Sequence, residues 1–185
     1  MNNNIPTYQI TASQVLFDHS WVRIVVDTIE AGGKSRPYFY MESPVEAVAT
    51  VSLTAAGEII LTRQYRHPVG QVIYDLPAGR LEPGEDPLEG ARRKFEEETG
   101  FYPNRIIKLG YYNQFPDSLR AGTNLFFATD LTPTRQRLDE GEELEIVFMP
   151  VGEVLHLIRR DELIDGSLQL GVLLAYTKGL FPIQG

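Results

Sequence analysis

The chain has 185 residues and a mass of 20.9 kDa, which suits one globular domain with modest extensions rather than two independent cores. Its 17 Lys and Arg against 25 Asp and Glu give a net charge of −8, and this argues against a nonspecific nucleic-acid binder, which would present a basic face. The lack of cysteine excludes a disulfide framework, a thiolate metal site and a cysteine nucleophile. No signal peptide or membrane span is visible, so we expect a cytoplasmic protein that contacts neither nucleic acid nor membrane.

Strand-forming residues dominate the first part of the chain. Val22–Ile29 and Tyr38–Tyr40 are rich in β-branched and aromatic residues, and the Gly32-Gly33 pair between them predicts an antiparallel β-hairpin. Three further apolar, β-rich runs predict core strands: Ala47–Leu53, Ile59–Tyr65 and Val72–Leu76. We therefore divide the chain into an N-terminal β extension, residues 1–44, and one domain, residues 45–185.

A helix of about a dozen residues is predicted after Asp86. Asp86 is a suitable N-cap, Pro87 suits the first helical position, and Gly100 suits the position just past the helix end. Four residues at helical spacing predict one stripe that faces the core: Leu88, Ala91, Phe95 and Thr99.

The rest of the chain mixes strands and helices without an internal repeat. Strands are predicted over Ile106–Phe115, Asn124–Thr129 and Glu145–Met149, and helices over Pro150–Arg160 and Leu168–Leu180. Because strands outnumber helices and do not alternate strictly with them, we expect an α+β fold in which helices flank a mixed β-sheet.

One flank of the first predicted helix is acidic. A step of about 100° per residue places Lys94, Glu97 and Glu98 together beside the core stripe. Neighbouring carboxylates repel one another unless cations compensate them. Mg²⁺ or Mn²⁺ would do so and would in turn grip a diphosphate. The alternative is a solvated acidic helix face, and the helix composition leaves both interpretations open.

This region also matches a spaced motif. The pattern G-x5-E-x7-R-E-U-x-E-E-x-G-U, with U an aliphatic or aromatic residue, is met at Gly79, Glu85, Arg93, Phe95, Glu97, Glu98, Gly100 and Phe101. The sequence thereby resembles the Nudix hydrolases. The resemblance implies an α/β/α sandwich with a mixed sheet, and hydrolysis of a nucleoside diphosphate linked to another group by metal-activated water. It also implies that Glu97 and Glu98 hold the metal and that Arg93 orients the carboxylates of the motif.

Lys94 departs from the motif, because the family has a glutamate here that is often a metal ligand or helps to activate water. Replacing it with an ammonium removes an oxygen ligand and predicts weaker metal binding at Glu97 and Glu98. In a purely structural interpretation Lys94 forms an ion pair with Glu98. Three explanations stay open: an inactive member, a substitution engineered to trap a substrate complex, and a working site that relies on its remaining ligands.

The segment before the motif favours one branch of the family. The runs RQYR (residues 63–66) and DLPAG (residues 75–79) are similar to the approach to the motif in ADP-ribose pyrophosphatases. That likeness implies that the carbonyl of Ala78 binds a metal and that Arg66 contacts the diphosphate, which its planar guanidinium suits. By composition alone, Arg66 would be a surface charge at the end of a strand.

Three other residues are candidates for substrate binding. Pro116 lies sixteen residues past Gly100, a spacing that marks the ADP-ribose branch, although the small residues usual around this proline are missing. Trp21 and Tyr38 lie in the N-terminal extension, where related proteins sandwich the nucleotide base between two aromatic rings, sometimes across a dimer. Either aromatic residue could instead belong to the core of a dimer interface.

An acidic loop supplies the candidate general base. Asp139–Glu143 precedes a predicted strand and is similar to the mobile loop that delivers a catalytic glutamate in this branch, with Glu142 as the best match. Such a base needs reach to the attacking water more than an extreme pKa. The alternative is a solvated acidic loop.

The sequence as a whole predicts a homodimeric hydrolase that cleaves ADP-ribose or a similar nucleotide sugar into AMP and a sugar phosphate, with Mg²⁺ or Mn²⁺. Two alternatives remain: GDP-mannose or another nucleotide sugar as the substrate, and a domain that captures a nucleotide without hydrolysing it because of Lys94.

Overall fold

The computed structural model describes residues 7–181. The strands are β1 (Gln9–Asp18), β2 (Arg23–Ala31), β3 (Lys34–Glu42), β4 (Ala47–Ser52), β5 (Glu58–Arg66), β6 (Gln71–Asp75), β7 (Ala78–Arg80), β8 (Phe101–Asn113), β9 (Leu119–Arg120), β10 (Gly122–Pro133) and β11 (Glu145–Pro150). The α-helices are α1 (Pro87–Thr99), α2 (Val151–Arg159) and α3 (Gly166–Thr177). Within residues 7–181, no helix has the length and apolar character needed to cross a membrane.

The N-terminal unit is a four-stranded sheet in the order β1-β2-β3-β9. It contains the described residues up to Val45 together with Asn113–Gly122, a segment that the sequence alone assigned to the following domain. The strands β1, β2 and β3 pair antiparallel, and β9 runs parallel to β3. The predicted hairpin is confirmed as β2 and β3, joined by Gly32 and Gly33 with φ angles of 58° and 73°. Positive φ at both positions gives the turn a twist that matches the strands.

The second unit contains Glu46–Tyr112 and the described residues from Thr123 onward. Its first sheet has the order β7-β4-β10-β8, in which β10 runs parallel and β7 antiparallel to β4. Its second sheet, β11-β5-β6, is antiparallel. The mixed sheet predicted from the sequence is therefore confirmed. Of the three predicted apolar runs, the first forms β4 of the mixed sheet, and the other two form β5 and β6 of the antiparallel sheet.

Helices cover both faces of the mixed sheet. Successive side chains of a strand point to opposite faces, and the buried residues divide into two clusters accordingly. In one cluster Val48 of β4 packs with Ala91 of α1. In the other, Val51 of β4 and Leu125 of β10 pack with Val172 of α3. The predicted α/β/α arrangement is confirmed, with α1 on one face and α3 on the other.

Helix α1 begins and ends at the residues that the local signals predict. The side chain of Asp86 accepts hydrogen bonds from the amides of Leu88 and Glu89 at 2.9 and 3.3 Å. Gly100 ends the helix with a φ of 72°, a left-handed conformation that glycine adopts without strain. The structure adds two buried residues to the predicted stripe, Gly90 and Glu98, and Glu98 is only 5% exposed.

Candidate active site

The motif residues gather where β7 meets the last turns of α1. The amide of Ala78 donates a hydrogen bond to Oε2 of Glu98 at 3.1 Å. This contact ties the backbone of β7 to a carboxylate twenty residues further along the chain. It also gives the buried carboxyl of Glu98 a hydrogen-bond donor, which a polar group removed from water requires.

The pKa of the Glu98 carboxyl is strongly shifted by its surroundings. Burial raises the pKa of the Glu98 carboxyl to about 8, although the hydrogen bond from Ala78 and the positive charges of Lys94 and Arg66 oppose the shift. The negative charge of Glu142 raises that pKa further. Glu142 and Arg66 therefore lie within electrostatic reach of Glu98, so the fold brings three candidate site residues from separate segments together.

Arg93 joins two carboxylates of the motif. Its Nε and Nη2 lie 2.8 and 2.7 Å from the two oxygens of Glu85, and its Nη1 lies 3.2 Å from Oε2 of Glu97. The hydrogen bonds from Arg93 lower the pKa of Glu85, and the same bonds raise the pKa of Arg93 itself. A planar fork of donors suits this bidentate contact, which fixes the loop before α1 against the helix.

Lys94 forms ion pairs with Glu97 and Asp139. Its Nζ lies 3.1 Å from Oε2 of Glu97 and 3.3 Å from Oδ2 of Asp139. The Lys94–Glu98 ion pair of the structural interpretation is therefore wrong, because the ammonium turns toward the neighbouring carboxylate and toward the acidic loop. Burial opposes the charge of Lys94, yet its bonds to Glu97 and Asp139 raise its pKa above the ordinary value. The ammonium thus stays charged at neutral pH.

Glu142 lies in a turn closed by Asp139. The amide of Asp139 donates to Oε2 of Glu142 at 3.3 Å, and the amide of Glu142 donates to the carbonyl of Asp139 at 3.0 Å. The Glu142 side chain is partly buried, whereas Asp139, Glu140 and Glu143 are exposed. Within Asp139–Glu143, Asp139 contacts Lys94 directly, and Glu142 is the residue whose charge acts on Glu98.

Sequence reasoning missed how the segment before Glu142 is attached to α1. The side chain of Gln136 donates to the carbonyl of Glu98 at 2.8 Å, and the amide of Arg137 donates to the carbonyl of Glu97 at 2.8 Å. Helix C-terminal carbonyls lack partners within the helix. The last turn of α1 has no basic residue, and Gln136 and Arg137 supply the donors for two of these carbonyls.

Arg66 is held at the end of β5 by Asp75 of β6. Its Nη2 and Nε lie 2.5 and 2.7 Å from Oδ2 of Asp75, which also accepts a hydrogen bond from Gln64 at 3.2 Å. Burial raises the pKa of Asp75, and the charge of Arg66 opposes that shift. The guanidinium is half exposed, so it has a fixed position and an accessible side, which suits a phosphate contact.

The surroundings of Glu98 fit a divalent cation better than those of Glu97. Within residues 7–181, no group of three or more His, Cys, Asp or Glu side chains could hold a metal ion, so backbone oxygens would have to contribute. The amide of Ala78 holds Oε2 of Glu98 at 3.1 Å, and the negative charge of Glu142 acts on the same carboxyl. Mg²⁺ and Mn²⁺ prefer carboxylate oxygens of this kind. The carboxylate of Glu97, predicted as the second ligand, is already paired with Arg93 and Lys94.

The remaining candidates lie in the N-terminal unit. The hydroxyl of Tyr38 donates to the carbonyl of Asp117, which joins Tyr38 to the segment that contains Pro116. The guanidinium of Arg36 covers the Tyr38 ring at 5.5 Å from its centroid, so one ring face is already in use. Trp21 is 66% exposed. The base-binding role of Trp21 and Tyr38 stays a prediction.

Residues 43–168 match the NUDIX domain, which covers more than half of the chain and includes the motif, β7, α1 and the Glu142 segment. The chain therefore belongs to the Nudix family.

Individual relatives place the chain within that family. It is 30% identical over 159 residues to the ADP-ribose pyrophosphatase of Bacillus subtilis (strain 168), covering 84% of this chain and 85% of the relative. It is 29% identical over 163 residues to the methanol dehydrogenase activator of Bacillus methanolicus, covering 86% and 88%. It is 25% identical over 164 residues to the ADP-sugar pyrophosphatase of Mus musculus, covering 79% and 75%. The predicted likeness to the ADP-ribose pyrophosphatase branch is confirmed.

A solved structure shares the fold. The structure titled "Crystal structure of ADP compounds hydrolase" superposes with a TM-score of 0.84 at 24% identity, covering 95% of this chain and 96% of that one. At this identity the comparison supports the architecture and carries no information on substrate.

Proposed function

We propose that this chain hydrolyses the diphosphate of ADP-ribose or a related nucleotide sugar, using Mg²⁺ or Mn²⁺ and releasing a nucleoside monophosphate and a sugar phosphate. The observation that carries the proposal is the buried Glu98 carboxylate, placed beside the backbone of Ala78 and within electrostatic reach of Glu142 and Arg66. The relatives named for ADP-ribose and ADP-sugar hydrolysis support the substrate class. A cytoplasmic location stays a prediction.

Each site residue has a task that its position allows. A divalent cation, when bound, would supply positive charge to the diphosphate and would acidify water. Glu98 and the carbonyl of Ala78 would hold that cation. Glu142 would accept the proton of the attacking water. Arg66 would bind diphosphate oxygens, and Arg93 would keep the loop before α1 in register with the helix.

We expect the purified chain to convert ADP-ribose to AMP and ribose phosphate with Mg²⁺ or Mn²⁺, and to lose this activity in EDTA. Glu142→Gln should lower kcat by about 100-fold or more, because it removes the proton acceptor and changes little else. Glu143→Gln is the matched control, since it removes an adjacent exposed carboxylate. Product release is followed by chromatography over a panel that includes other ADP-sugars and GDP-mannose.

Three outcomes would contradict parts of this assignment. Faster turnover of GDP-mannose than of any ADP-sugar would replace the substrate. Full activity of Glu142→Gln would remove Glu142 as the base. The absence of turnover on the whole panel with either metal would refute the proposed hydrolysis.

A second candidate function is capture of a nucleotide without hydrolysis. It is favoured by the Lys94 ammonium, which pairs with Glu97 at 3.1 Å and leaves that carboxylate less available to a metal. The same panel tests it when nucleotide binding is measured by calorimetry. Binding without turnover, together with turnover gained by Lys94→Glu, would identify an enzyme disabled by Lys94. Binding without turnover in both forms would favour capture.

We also infer that the chain forms a homodimer through the N-terminal sheet. Phe17 of β1 pairs with Ile24 of β2, which in turn pairs with Met41 of β3. Residues that are directly opposite across antiparallel strands share one face of the sheet. These three apolar side chains are 39% to 50% exposed, and together they form a continuous apolar patch.

Sedimentation tests this dimer. We expect a dimer at micromolar concentration, and we expect Ile24→Asp to shift it to monomer, because a carboxylate at the centre of the patch cannot be buried against a second copy. Tyr176→Ser is the control, since Tyr176 is 54% exposed but lies on α3. A monomeric parent chain would contradict the inference.

A further inference from the structure

The side chain of Lys94 follows a path that Gly79 leaves open. A methyl group at position 79 would lie 2.5 Å from Cδ and 2.8 Å from Cγ of Lys94, so the lysine stem occupies the space where any other residue would carry its Cβ. The Lys94 side chain is only 16% exposed. Its ammonium emerges between Glu97 on α1 and Asp139 in the loop. The stem is thus fixed by packing, and the ammonium is aimed at the acidic segment.

Charge repulsion would drive the acidic segment that begins at Asp139 away from α1 without a compensating cation. Five carboxylates lie within seven residues: Asp139, Glu140, Glu142, Glu143 and Glu145. The facing flank of α1 carries the carboxylate of Glu97, so like charges meet across this contact. In the part of the chain that the structure describes, Lys94 is the cation whose ion pairs join α1 to Asp139–Glu143.

Hydrogen bonds within the turn fix Glu142 relative to Asp139. Asp139 and Glu142 exchange two hydrogen bonds, one from each amide, at 3.3 and 3.0 Å. Gln136 and Arg137 fix the start of the segment on the helix end. Asp139, two residues after Arg137, is the second point of attachment, because its carboxylate pairs with Lys94. Glu142 lies three residues after Asp139.

We propose that Lys94, lodged over Gly79, is a positioning residue that holds the Asp139–Glu143 turn on α1 and thereby fixes the position of Glu142. This rests on the proposed function only for the role of Glu142 as the base. The lysine that departs from the family motif would then have a task in this chain, since one ammonium neutralises Glu97 and fixes the loop that a glutamate at position 94 would repel.

Amide hydrogen exchange of peptides that contain residues 138–144 tests the attachment without substrate or metal. We expect Lys94→Met and Asp139→Asn each to speed exchange at the Glu142 amide by about two- to five-fold, the range expected from losing one partly exposed ion pair. Because both changes remove the same contact, the double variant should exchange no faster than either single one. Lys94→Arg should restore slow exchange. Glu140→Gln, in the same turn, is the matched control.

Kinetics give a second readout. At saturating metal, Asp139→Asn should lower kcat by a similar factor and leave KM unchanged, because it loosens the base and not the nucleotide site. Asp139 is 78% exposed, so this variant should fold normally even if Lys94→Met does not. Unchanged exchange in Asp139→Asn, or additive effects in the double variant, would overturn the proposal. Faster exchange in a chain that hydrolyses no nucleotide would support the attachment and refute the proposed function instead.

Discussion

Glu98→Gln is expected to stabilise the metal-free protein and to abolish its hydrolytic activity. Burial raises the pKa of the Glu98 carboxyl from 4.5 to about 8, so the folded chain binds this proton more tightly than the unfolded chain does. The resulting stabilisation is complete below about pH 4.5 and is lost as the pH rises through about 8. A shift of this size corresponds to about 3 to 5 kcal/mol when the group is fully ionised. The neutral amide escapes this loss.

Urea denaturation in EDTA at pH 5 and pH 8.5 measures the effect. At pH 8.5 we expect Glu98→Gln to unfold with a free energy about 2 to 4 kcal/mol above that of the parent chain, and at pH 5 the difference should nearly vanish. Glu143→Gln, on an exposed residue, should follow the parent at both pH values. An equal pH dependence in the parent and in Glu98→Gln would refute the destabilised carboxylate.

Bound metal should remove the stability advantage of Glu98→Gln over the parent chain. Mg²⁺ or Mn²⁺ should raise the Tm of the parent chain, because a ligand that binds only the folded state stabilises it. The same metals should leave the Tm of Glu98→Gln nearly unchanged, and kcat should fall by about 100-fold or more because the charge that would hold the metal is gone. A metal-induced Tm shift of equal size in the variant would place the cation elsewhere.

Arg93→Lys is expected to destabilise the chain even though it keeps the positive charge. Arg93 reaches both oxygens of Glu85 at 2.7 and 2.8 Å and Glu97 at 3.2 Å, and one ammonium cannot reproduce that fork. These groups are largely shielded from solvent, so we expect a loss of about 2 kcal/mol at pH 7. Activity should fall with it, because the loop before α1 loses its attachment to the helix.

The pH dependence of Arg93→Lys separates this contact from a general packing effect. The pKa of Glu85 lies below its ordinary value of 4.5 because of Arg93, so its contribution is present above pH 4.5 and is lost as the pH falls through the depressed pKa. The stability difference between the two chains should therefore shrink in acid, as measured by urea denaturation. Arg135→Lys, on an exposed arginine after β10, is the control. A difference that is constant with pH would contradict the role of Glu85.

Local signals in the sequence were sufficient to predict helix α1 of the site and the N-terminal hairpin. Asp86 and Gly100 define the ends of α1 because capping depends on residues within one helical turn. The Gly32-Gly33 pair defines the hairpin turn for a similar reason. The spacing of the motif residues identifies the family, and the match over residues 43–168 confirms it.

The tertiary structure alone decided which charges meet. Sequence periodicity placed Lys94 near Glu98, whereas its second partner is Asp139, forty-five residues away in the chain. The strand β7 was not predicted, because its pairing with β4 depends on a segment thirty residues earlier. Glu98 was placed on a helix flank, and its burial follows from the approach of Ala78. Spacing along one helix gives direction around its axis, but the environment on each side comes from distant segments that the fold brings into contact.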